Sequence, residues 1–186
     1  MAARDNDPLH AAVDVKLAQV AAAAPTPPPW HGAWAGLGPQ SSPEERLAVY
    51  RAVRAAGSLP AEAGFFLVAW TADLLTGDRA PEGLRQAEEH LEAVRQQYGL
   101  DEDTPAEGDD VPGEYREAMQ RCHDAWDALY AATLEEQGEE DMARLVRDHS
   151  EEFEQRYEAG RQFFHGPGED DDGAEAGVNP VPWLES

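Results

Sequence analysis

Seven consecutive residues, Gly64-Phe65-Phe66-Leu67-Val68-Ala69-Trp70, leave a helix almost no face to turn toward water. Only a helix surrounded by other helices tolerates that pattern, so the run predicts a central, fully enclosed element and dictates that the rest of the chain wrap it. The longer apolar stretch, Ala63 to Trp70, falls far short of the roughly 18 residues that cross a bilayer. No membrane span is expected.

What surrounds the run also reads as helix. Ser42-Pro43-Glu44-Glu45 places a Ser N-cap, a Pro in the first turn and a Glu three residues on, the pattern of a capping box. The helix it opens, over 43–56, carries Leu47, Val49, Tyr50 and Val53 on one side and stops at Gly57. The central helix follows Pro60. A third helix over 81–98 spaces Leu84, Ala87, Leu91, Val94 and Tyr98 by threes and fours and ends at Gly99. A fourth over 113–137 aligns Tyr115, Met119, Cys122, Trp126, Leu129 and Thr133, and a fifth over 139–164 aligns Met142, Val146, His149, Phe153, Tyr157, Gly160 and Phe164. With Gly138 between them, these two form a hairpin. No alternating strand pattern and no internal repeat accompanies them, so the expected fold is an all-α bundle of about five helices.

Two extensions flank the bundle. Residues 7–24 form an amphipathic helix with Asp7 as N-cap, Pro8 at its first position and Leu9, Val13, Leu17 and Val20 on one face. It is too short to persist undocked. Between Ala24 and Trp34 the prolines block helix and favour an extended connector bearing Trp30 and Trp34. At the other end, a Gly-rich acidic linker from Gly166 leads into Val178-Asn179-Pro180-Val181-Pro182-Trp183-Leu184, an apolar peptide on a disordered leash. The domain boundaries expected are thus 1–41, 42–166 and 167–186.

Charge narrows the function. The 38 acidic residues against 14 basic ones give a net charge of -24, and residues 101–186 hold 26 of the acids but 6 of the bases. Such a field repels nucleic-acid phosphate and anionic lipid, which argues against direct nucleic-acid or membrane binding. The single cysteine, Cys122, sits on an apolar stripe and suits a buried thiol in a reducing cytoplasm. One lysine among many arginines, with abundant alanine, matches a high-GC bacterial coding bias.

Residues with chemical potential each have a plainer reading. His149, on the apolar seam of the fifth helix, is expected as a buried, hydrogen-bonded core-edge group. Adjacent helical residues diverge by about 100 degrees, so Cys122 and His123 do not grip one ion. No histidine follows a Glu at the spacing of a di-iron bundle, and the acidic loop from Asp101 to Asp110 lacks the glycine and glutamate of a calcium-binding loop. The pairs Glu89/Glu92 and Asp124/Asp127 resemble the magnesium-binding acidic pairs of all-α nucleotide pyrophosphohydrolases. That resemblance covers four residues and implies a metal-dependent hydrolase; their positions lie about 100 degrees or more from the apolar seams. No catalytic, cofactor or metal residue is assigned, and no phosphate loop, nucleophile elbow or zinc spacing is found.

The reading favoured is a protein–protein interaction or adaptor module that uses Trp30, Trp34, Trp183 and Leu184 as apolar anchors for an unknown protein partner. An acidic decoy for a nucleic-acid-binding protein is the alternative, weakened by Arg144, Arg147, Arg156 and Arg161 interleaved among the acids of the fifth helix. Self-association is compatible with either.

Overall fold

The computed structural model describes residues 8–78, 81–101, 104–105 and 111–165. Among them the fold is all-helical, with eight helices and no strand: α1 (Pro8–Ala23), α2 (His31–Ala35), α3 (Pro43–Ala55), α4 (Ala61–Asp78), α5 (Glu82–Tyr98), α6 (Gly113–Glu136), α7 (Glu140–Asp148) and α8 (Ser150–His165). Asp7, most of the acidic loop before Pro112 and the C-terminal segment 166–186 lie outside the described residues. The helices group into two compact units, one of residues 8–75 with 150–165 and one of residues 76–149. The boundary expected at 166/167 lies outside the described residues.

The first unit is organised on α4, which is buried at every position from Ala63 to Asp73. A continuous apolar surface needs neighbours on all sides, and α8 supplies a row of rings. Phe66 meets Tyr157 edge-on at 4.9 Å and Phe164 at 5.6 Å, and lies parallel to Trp70 at 5.9 Å. Phe65 meets Phe153 edge-on at 5.3 Å. Gly160 lets the two helices close: a Cβ built there would stand 2.5 Å from Cβ of Phe66 and 2.8 Å from the carbonyl carbon of Glu62. Arg156 fastens the same crossing, donating to Glu62 at 3.0 Å while its guanidinium covers the Phe65 ring at 4.3 Å.

α1 docks in this unit, burying Leu9, Val13 and Leu17. His10 packs on Trp70 at 4.5 Å, and the Lys16 ammonium stands 4.6 Å from the Phe163 ring. The start of α3 follows the sequence: Ser42 Oγ accepts from the Glu45 N–H at 3.2 Å, and Glu45 Oε2 accepts from the Ser42 N–H at 2.9 Å. Such a cap is worth about 1 kcal/mol. Arg46, also on α3, turns inward and donates to the Gly38 carbonyl at 2.7 Å, which holds the chain before α3 against it.

In the second unit α5 and α6 bury Leu91, Val94, Tyr115, Ala118 and Cys122 between them. Gly99, at φ 66°, gives α5 its left-handed C-cap, a conformation that costs other residues free energy, and the Leu100 N–H returns to the Arg95 carbonyl at 3.0 Å. Tyr98, expected on the α5 seam, is exposed and donates to Glu114 at 2.9 Å; its hydroxyl prefers a carboxylate at the rim to the core. α7 folds back on α6 through Gly138 at φ 76°, with Arg147 paired to Glu135. Because α6 packs on α5 and also on α7, its buried face shifts along its length. Trp126 and Leu129 are half-buried, and Tyr130, Ala131 and Leu134 are enclosed instead.

The fifth helix expected over 139–164 is two helices. α7 ends at Asp148, His149 adopts φ -147° and ψ 53°, and α8 begins at Ser150. Asp, His and Ser are weak helix formers, and three together supply a local reason for the break.

Candidate functional site

Two of the four anchors proposed from the sequence, Trp30 and Trp34, lie among the described residues. Trp30 is 1% exposed, and its indole N–H donates to Ser58 Oγ at 3.2 Å. The ring is thereby packed as part of the first unit. Trp34 is half-buried, stands edge-on to Trp30 at 6.1 Å and donates to Asp14 Oδ1 at 3.1 Å. The prolines before it do not hold the whole connector extended, since α2 forms directly after them with Trp30 as its N-cap. Pro fixes a backbone angle compatible with a helix entry, so a short helix after a proline run breaks no rule. Together, α2 and the two tryptophans clasp α1 and the residues after α3. Trp183 and Leu184 lie outside the described residues.

His149 is exposed, not a buried core-edge group. As the C-cap of α7 it leaves the helical path, and its N–H donates to the Leu145 carbonyl at 2.9 Å. The seam that carried the expectation is real on both sides of it, but the backbone departs at His149 itself.

Three of the four carboxylates that resemble a magnesium site, Glu89, Glu92 and Asp124, are engaged along their own helices. Glu89 pairs with Arg85, which also holds Glu82; Glu92 accepts from Gln96 at 2.9 Å, and Asp124 accepts from Gln120 at 2.8 Å. Asp127 is half-buried, and burial with the neighbouring Asp124 charge raises its pKa. No group of three or more His, Cys, Asp or Glu side chains able to hold a metal ion is found among the described residues. Burial raises the Cys122 thiol pKa, with Glu88 adding to the rise and Arg95 opposing it. Thiolate chemistry is thereby suppressed at neutral pH.

The group that sequence reasoning missed is Asp73. It is 5% exposed, its Oδ1 has no hydrogen-bond partner among the described residues, and burial alone raises its pKa well above the ordinary carboxylate value. The signal was present, for Asp73 is the one charged residue between Glu62 and Asp78 on a helix with no outward face. Tyr50 is a second buried titratable group: burial pushes its pKa up to about 12, with Asp14 adding to the rise and Arg46 opposing it.

Asp73 makes a pH prediction with a definite sign. The folded state keeps a proton that the unfolded chain releases near the usual value of about 3.9. Stability from this group is therefore fully present below that value and is lost as pH rises through the raised folded pKa. Asp73→Asn cannot ionise. Thermal denaturation from pH 4 to 8 should find the variant more stable than the parent at the alkaline end, on the order of 1–3 kcal/mol. The gain should close toward pH 4. A difference that stays constant across the range would contradict the assignment.

No helix among the described residues is long and apolar enough to cross a membrane. Comparison with protein-family models, with curated proteins and with solved structures finds no match.

Proposed function

We propose that this chain is a protein–protein interaction module of the cytoplasm, which offers its apolar C-terminal peptide to a protein partner. The observation that carries the reading is the order of residues 166–184, in which a Gly-rich acidic run precedes Val178-Asn179-Pro180-Val181-Pro182-Trp183-Leu184. Trp183 with Leu184 supplies the bulky apolar anchors that dominate interface energies.

The internal use of Trp30 and Trp34 narrows the choice of anchors, because both indoles already donate to residues of their own unit. The interaction reading accordingly rests on Trp183 and Leu184. The excess of acid in residues 101–186 favours a groove with a basic rim, since complementary charge speeds association. A buried, unreactive thiol at Cys122 fits a reducing compartment.

The test compares the full chain with a chain ending at Gly166 as affinity baits in a lysate of the source organism. A protein held by the first and lost by the second is the expected outcome. Identical sets of retained proteins would overturn the assignment to the C-terminal peptide.

A further inference from the structure

We draw no further inference here: the strongest candidate, the buried Asp73 carboxyl on the central helix α4, carries only the pH response already derived from its burial, and nothing among the described residues shows a ligand, cavity or charged group for it to serve.

Discussion

Replacing Gly160 by Val should unfold the first unit at temperatures the parent withstands, because the added side chain enters space held by backbone. A Cβ at this position would meet Phe66 Cβ at 2.5 Å and the Glu62 carbonyl carbon at 2.8 Å, with the Glu62 oxygen closer still. A long side chain can swing away from such a clash, but the carbonyl group of a neighbouring helix moves only with that helix. Overpacking typically costs about 1–3 kcal/mol and occasionally more, and this site belongs at or beyond the upper end. Helix propensity returns at most about 1 kcal/mol on replacing Gly. Gly64 is the natural control. Its Cβ would meet Arg54 Cγ at 2.9 Å and Cβ at 3.2 Å but no backbone atom nearer than the Arg54 Cα at 3.4 Å, so less has to move than at Gly160. Gly64→Ala should therefore cost much less than Gly160→Val in chemical denaturation, and equal losses would show that the α4–α8 crossing is looser than described.

Phe66→Ala should produce a loss of similar size by the opposite route. Phe66 is fully buried and touches the rings of Trp70, Tyr157 and Phe164, so truncation empties a space bordered by three side chains that share it. Emptying a Phe site costs about 3–5 kcal/mol, through lost transfer free energy and the cavity left behind. For a unit of this size that amounts to roughly 12–40 °C in melting temperature. Phe163→Ala provides the comparison, because Phe163 is exposed on part of its surface, with its ring against Phe164 and the Lys16 ammonium. If both substitutions lower the melting temperature equally, Phe66 is not at the centre of the unit.

These two residues also show how far the sequence could be read. Phe66 and Gly160 were both legible: the first sat in a run with no polar face, the second on a helical seam among aromatic residues, where a missing side chain allows close approach. Local chemistry fixed several ends as well. The Ser42 capping box, the Gly99 cap and the Gly138 turn each depend on a few adjacent residues, which is why they could be placed without knowledge of the fold.

What escaped the sequence depended on distant neighbours or on a signal that periodicity hides. The spacing of Met142, Val146, His149, Phe153 and Tyr157 continues unbroken across the end of α7, so counting threes and fours returned one helix where there are two. The weak helix formers at 148–150 were the local warning. Along α6, the buried face shifts because the helix serves α5 and then α7, and a single straight seam cannot express two partners. The fate of Trp30 turned on Ser58, 28 residues away, and no short-range pattern announces such a pair. Asp73 is masked in the pattern by the apolar residues around it, although a lone carboxyl there is the more informative feature.

Charge has a smaller part in the fold than the composition suggests. Arg85, Arg121, Arg144 and Arg161 pair with acids three or four residues away on exposed helix surfaces, where solvent screens such contacts and they add little stability. They organise local side chains and leave a large excess of carboxylates. That excess shapes which partners approach, while the ring cluster of α4 and α8 holds the first unit together.

The central claim, that the C-terminal peptide is the docking element, is tested most directly by competition. A synthetic peptide of residues 166–186 is added to the full chain with its retained partner, alongside the same peptide carrying Trp183→Ala and Leu184→Ala. The unaltered peptide should release the partner and the altered one should not. A partner that stays bound in the presence of either peptide would place recognition on the helical units and contradict the claim.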